Sequence, residues 1–143
     1  MSTVAQILKS KSNQSVHTIA PTASVFDAVK LMAEKNIGAV LVGEGGKVAG
    51  IFTERDYARK IVLMSKSSKD TPVRECMTAE VMFVRPEQTS EECMALMTEN
   101  RVRHLPVMDQ GKLLGLVSIG DLVKDVISEQ KFMIEQLEQY IAR

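Results

Sequence analysis

The sequence predicts an α/β protein of the α+β type, built from two pseudo-twofold-related repeats that each run strand, helix, strand, strand, helix, with an added C-terminal helix. Three observations lead there. Sliding the chain against itself by 65 residues aligns Pro21–Asp56 with Pro86–Asp121 without a gap, and nine of the 36 pairs are identical; self-similarity at a fixed offset is the mark of an internal duplication. Each copy has one stretch of helical apolar spacing followed by two short apolar runs with an acidic residue and glycine between them. A unit of about sixty residues buries little alone, so the copies are expected to pack sheet to sheet and to leave two equivalent clefts.

The elements follow in order. Val4–Leu8 resembles Val73–Met77 at an offset of 69, so each copy has a lead-in, and the first carries about four extra residues near Lys11 to Ser15. Val16–Ile19 and Val81–Val84 read as short extended stretches that run into a proline. Ser24 with Asp27, and Thr89 with Glu92, have the spacing of a capping box that opens a helix. Val25, Ala28, Val29 and Met32 then recur at helical spacing, as do Cys93, Met94 and Met97, and Gly38 fits the stop of the first helix. Ala39–Val42 with Val48–Phe52, and His104–Met108 with Leu113–Val117, are apolar runs joined by Glu-Gly-Gly-Lys or Asp-Gln-Gly-Lys, the composition of a hairpin. A second helix begins at Thr53 or Ser118. The expected divisions are a lead-in over 1–15, a first repeat over 16–70, a second over 71–127 and a helical tail over 128–143.

Composition excludes several classes of function. The chain's 143 residues are 45% hydrophobic and 25% charged, as in an ordinary globular domain. Its 18 basic and 18 acidic side chains cancel, whereas phosphate-backbone binding needs a surplus of Lys and Arg, so nucleic acid is not the expected partner. The halves divided at Pro72 carry +4 and −4 (10 basic against 6 acidic, then 8 against 12), a division that favours self-association. Cys76 and Cys93 have neither a disulfide framework nor zinc-ligand spacing, and Cys93 falls on an apolar helical face. No apolar run approaches the roughly 18 residues of a membrane span, and the polar Met1-Ser2-Thr3 start is unlike a signal peptide, which points to the cytoplasm.

The most informative repeated feature is Gly-apolar-apolar-Ser/Thr-x-x-Asp, at Gly50 to Asp56 and Gly115 to Asp121. One such Ser/Thr-x-x-acid is ordinarily a helix cap. Its duplication at a strand-to-helix junction also permits binding: a helix start offers free N–H groups and a hydroxyl to phosphate oxygens. Asp56 or Asp121 would repel phosphate but can accept two hydrogen bonds from the vicinal hydroxyls of a ribose.

These residues, with the Arg103-His104-Leu105-Pro106-Val107 stretch and the glycine ahead of each final strand segment, resemble a tandem pair of cystathionine β-synthase (CBS) domains, a Bateman module, over about Val16 to Val126. The resemblance implies two clefts for adenosine-containing ligands such as AMP, ADP, ATP, NAD(H) or S-adenosylmethionine, in regulatory rather than catalytic proteins. Each cleft in that family joins the Ser/Thr-x-x-Asp of one copy to the first two strands of the other. Carried over, the first uses Ser118 and Asp121 with Val16, His17, Ile37, Gly38 and Ala39; the second uses Thr53 and Asp56 with Val81, Met82, Val102, Arg103 and His104. Arg103 and His104, with Arg101 nearby, supply the second better for phosphate, and Arg55 can serve either. Plainer readings stand beside these: Arg101 and Arg103 as a solvated pair, His104 as a half-buried strand histidine, and His17 as structural.

No paired carboxylates in a pocket motif, nucleophile elbow, phosphate loop or metal cluster is present in the sequence, so neither an enzyme nor a metal protein is expected. The expectation is an adenine-nucleotide sensor acting through an unidentified partner protein; the alternative is a ligand-free dimerisation module. Ile127, Ile134, Leu137 and Ile141 form one stripe on the tail helix, which is expected to be buried in a homodimer or folded back on its own module.

Overall fold

The computed structural model describes residues 2–11 and 16–142; the extra residues expected in the first copy lie, from Ser12 onward, outside them. The chain groups into two compact units, one contiguous (Val16–Met82) and one split (Met1–Ser15 with Phe83–Arg143).

In the contiguous unit, β1 (Thr18–Ile19) pairs in parallel with β2 (Ala39–Glu44), which pairs antiparallel with β3 (Lys47–Thr53). Ala39 to Val42 are all buried, which is why this strand reads as a continuous apolar run rather than an alternating one. Helix α2 (Val25–Lys35) buries Val25, Ala28 and Met32. Ser24 Oγ accepts from Asp27 N at 3.0 Å, but the return bond of a full capping box is not made. Asn36, at φ 54°, takes the left-handed position after the helix, so the stop lies there and not at Gly38; Asn tolerates this conformation better than most side chains. Helix α3 (Glu54–Asp56) continues directly into a π-helical segment, Tyr57–Val62.

The split unit repeats the plan with α4 (Ser90–Asn100), β4 (His104–Asp109), β5 (Lys112–Ser118) and α5 (Ile119–Ile141). Thr89 likewise makes half a capping box: its hydroxyl accepts from Glu92 N, while Glu92 turns to Gln88. Both hairpins turn on two residues of positive φ, Gly45 and Gly46 or Gln110 and Gly111, the type I′ geometry that matches strand twist.

The expected strand at Val81–Val84 does not form. Val84 alone bridges Val107, through Val84 N to Pro106 O and Met108 N to Val84 O. In the contiguous unit, Leu41 N donates to His17 O and so extends the parallel ladder. The equivalent of Leu41 is Pro106, which has no N–H to offer the equivalent of His17, Met82.

The lead-ins change places. Helix α1 (Val4–Ser10), capped by a Thr3/Gln6 box, precedes the first repeat but buries Val4 and Ile7 in the core of the split unit, with Val84, Cys93, Met97, Leu105, Val107, Val117 and Leu122. The single 3-10 turn Val73–Glu75 precedes the second repeat yet places Val73 and Cys76 in the core of the contiguous unit, with Val25, Phe52 and Ile61. The docking bonds match pair for pair: Val4 N to Gln88 O and Ala5 N to Pro86 O in one unit, Val73 N to Ala23 O and Arg74 N to Pro21 O in the other. Each buried Val or Ile contributes about 1.5–3 kcal/mol to this docking.

The lead-ins also explain a repeated glycine. A Cβ on Gly50 would stand 2.6 Å from Met77 Sδ and 2.7 Å from Thr78 O; on Gly115 it would stand 2.8 Å from Leu8 Cδ2. Leu8 and Met77 are the aligned lead-in residues, and only a residue without Cβ lets them come so close.

Candidate functional site

In each unit the last residue of the hairpin caps the next helix and starts the site. Thr53 Oγ1 accepts from Asp56 N at 3.2 Å while Asp56 Oδ2 accepts from Thr53 N at 3.0 Å; Ser118 Oγ accepts from Asp121 N at 3.2 Å while Asp121 Oδ2 accepts from Ser118 N at 2.9 Å. The Ser/Thr-x-x-Asp signature is therefore a complete capping box in both copies.

An ammonium joins each carboxylate. Lys60 Nζ lies 3.1 Å from Asp56 Oδ1 and donates to Cys76 O at 3.0 Å; Lys11 Nζ lies 2.9 Å from Asp121 Oδ2 and donates to Leu116 O at 2.8 Å. The two lysines are not equivalent in the alignment. Lys60 is one turn beyond Asp56, where the second copy has Asp125, and Lys11 belongs to the lead-in, where the other lead-in has Glu80. Asp125 Oδ2 is buried and has no hydrogen-bond partner among the described residues. Thr78 completes the Asp56 cluster, its hydroxyl donating to Oδ1 at 3.2 Å.

Of the residues expected from the first two strands, Gly38, Ala39, Arg103 and His104 lie beside the cap of their own repeat. Ala39 pairs with Thr53, and Glu54 N donates to Gly38 O; His104 pairs with Ser118, and Ile119 N donates to Arg103 O. Burial pushes the His104 imidazole below its ordinary pKa, the Lys11 and Arg103 charges act in the same direction, and Asp121 opposes them. Val16 and His17 immediately precede β1, and the His17 Nε2 atom is buried without a partner among the described residues. Ile37 packs against the core of the contiguous unit. Val81 and Met82 sit in irregular chain at the end of that unit; Arg101 takes the left-handed position after α4, and Arg55, Val102 and Arg103 are exposed.

Lys11, Lys60 and Thr78 were not among the residues expected at the site. Lys60 had a readable signal, an opposite charge at i+4 from Asp56. Lys11 and Thr78 reach it only through the lead-ins. Among the described residues, no group of three or more His, Cys, Asp or Glu is placed to hold a metal ion, and no helix is long and apolar enough to cross a membrane.

Comparison with known proteins agrees with this architecture. The CBS domain family model matches residues 4–63 and 73–128. The chain is 46% identical over 123 residues to the mitochondrial CBS domain-containing protein CBSX3 of Arabidopsis thaliana, covering 82% of this chain and 60% of the plant protein. Among solved structures, a protein with CBS domains from Burkholderia ambifaria MC40-6 superimposes with a TM-score of 0.87 at 61% identity, covering 90% of this chain and 96% of that one. A hexameric CBS-CP12 protein from bloom-forming cyanobacteria superimposes with a TM-score of 0.75 at 32% identity, covering 86% and 70%.

Proposed function

Because the chain belongs to the CBS-domain family and carries the domain twice, we propose that it is a regulatory module without catalytic activity of its own, which binds AMP or a related adenosine ligand (ADP, ATP or NAD(H)) at its two Ser/Thr-x-x-Asp sites. The observation that carries this reading is the duplicated group of hydroxyl, carboxylate and ammonium at Thr53, Asp56 and Lys60 and at Ser118, Asp121 and Lys11. A carboxylate held at a fixed place by its cap is a rigid acceptor for a ribose diol. The exposed Arg103 guanidinium suits the phosphate end of the ligand. Occupancy then shifts an equilibrium between two states of the module and is read by a partner protein, provided that the ligand binds the two states unequally.

Titration calorimetry with AMP, GMP and CMP tests the proposal. AMP is expected to bind more tightly than the other two, and equal or absent binding across all three overturns it.

A second reading, an assembly module, is favoured by the apolar stripe on α5. Ile127, Ile134, Leu137 and Ile141 are 47%, 54%, 59% and 79% exposed in the single chain, and their spacings of seven, three and four residues keep them on the heptad positions of a seam between helices. We propose a homodimer formed through this stripe. The hexameric state of the cyanobacterial CBS-CP12 relative supports this reading. Mass spectrometry of the acid-released small molecules separates the two readings, because a module kept for assembly alone carries no nucleotide.

A further inference from the structure

We infer that the two carboxylates are unequal ribose acceptors, Asp121 open and Asp56 closed, and that Thr78 sets the difference; the inference rests on the nucleotide reading above. A carboxylate offers about four acceptor positions on its two oxygens. At Asp56 all four are taken: Oδ2 accepts from Thr53 N at 3.0 Å and Thr53 Oγ1 at 3.1 Å, and Oδ1 receives Lys60 Nζ at 3.1 Å and Thr78 Oγ1 at 3.2 Å. At Asp121 both partners, Ser118 N and Lys11 Nζ, lie on Oδ2 at 2.9 Å, and Oδ1 has none among the described residues.

A vicinal diol brings two donors. Asp121 takes them on Oδ1 with its cap and its lysine in place. At Asp56 one of four existing donors must leave first. Thr53 supplies two of them, its N–H as half of the capping box and its hydroxyl from the residue whose oxygen makes the other half, and Lys60 carries the compensating charge. Thr78 is the exception, a neutral hydroxyl contributed by the lead-in. Its backbone is held independently, through Thr78 N to Ile51 O at 2.8 Å and Ile51 N to Thr78 O at 3.0 Å, so its side chain can be removed without releasing the segment. Thr78 is thus a specificity-determining residue that weakens the Asp56 site relative to the Asp121 site.

The test is calorimetric titration of the full chain with adenosine, with 2′,3′-dideoxyadenosine, which keeps the base and the 5′-hydroxyl but lacks the diol, as the control. Asp121→Asn isolates the Asp56 site. In that background Thr78→Val, which keeps the β-branched shape and deletes the donor, is expected to tighten adenosine binding about two- to tenfold, the worth of one neutral hydrogen bond. Thr78→Ser, which keeps the hydroxyl, is expected to leave binding as weak as before, and dideoxyadenosine is expected to be indifferent to all three residues. Equal affinity of the two sites in the unmodified chain, or adenosine binding that Thr78→Val leaves unchanged or weakens, overturns the inference while leaving nucleotide binding intact. No binding of adenosine or AMP by any variant or by the unmodified chain overturns the nucleotide reading itself.

Discussion

A methyl group added at Gly50 probes the packing of the lead-in against β3, with Gly115 as its internal control. Neither glycine has a left-handed φ, so alanine is tolerated by the backbone at both and the outcome depends on space. At Gly50 the new Cβ meets Thr78 O at 2.7 Å, a backbone atom that accepts from Ile51 N while Thr78 N donates to Ile51 O. Relief requires the 77–78 backbone to move, which strains both bonds, each worth about 0.5–1.5 kcal/mol net, on top of an overpacking cost of about 1–3 kcal/mol. The lower conformational entropy of alanine in the unfolded chain returns about 0.4–1 kcal/mol. Gly50→Ala is therefore expected to destabilise by about 2–3 kcal/mol. At Gly115 the Cβ meets Leu8 Cδ2 at 2.8 Å and Cδ1 at 3.2 Å, the far end of a side chain that can turn aside, and Gly115→Ala is expected to cost less than about 1 kcal/mol. Equilibrium urea unfolding followed by far-ultraviolet circular dichroism reads the difference as a shift of midpoint at constant slope. A loss at Gly115 equal to or greater than that at Gly50 would refute the reasoning.

Three further outcomes are expected. His104 has its folded pKa lowered by burial, so the unfolded chain binds its proton more readily; the neutral form stabilises the fold fully above about pH 6.5, and that contribution is lost as pH falls through the interval below. His104→Gln should flatten the decline in urea midpoint between about pH 7.5 and 5.5, and an identical decline in both proteins would count against this assignment. Cys76 and Cys93 are buried in their unit cores and burial raises both thiol pKa values, so Ellman's reagent should leave them unmodified in the native protein and react with both in urea; rapid reaction in the native state would contradict their placement. Deleting residues 130–143 removes three of the four stripe residues and should convert the proposed dimer to monomer in analytical ultracentrifugation while nucleotide binding persists; a dimer that survives the truncation places the contact elsewhere.

The hairpins were legible because an acidic residue and glycine between apolar runs leave few alternatives, and the two helix caps of the candidate site because a hydroxyl and a carboxylate three residues apart recur at an offset of 65. What the sequence hid was nonlocal. Val4 and Val73 look alike, so their alignment marked both as lead-ins and could not say that each serves the other repeat. The Val81–Val84 strand was misread because its absence is caused by Pro106, more than twenty positions away, whose missing N–H is felt only once the two segments lie side by side. Lys11 escaped notice for the same reason: its partner Asp121 is 110 residues distant.

The exchange of lead-ins gives the chain an order of assembly during synthesis. Every part of the contiguous unit has been made once Met82 emerges, whereas α1, made first, waits for β5 and α5. At about 5–20 residues per second, Val4 and Ile7 stay without their core for several seconds. Until Val73 and Cys76 are made, the berth that they fill in the contiguous unit is also vacant. The charges oppose the mistake. Docked there, Lys11 would bring a second ammonium to the carboxylate already held by Lys60, and Glu80, displaced to the other berth, would bring a second carboxylate to Asp121. Two lead-ins with nearly the same apolar face thus differ by one reversed charge each, and that reversal would disfavour the exchanged docking.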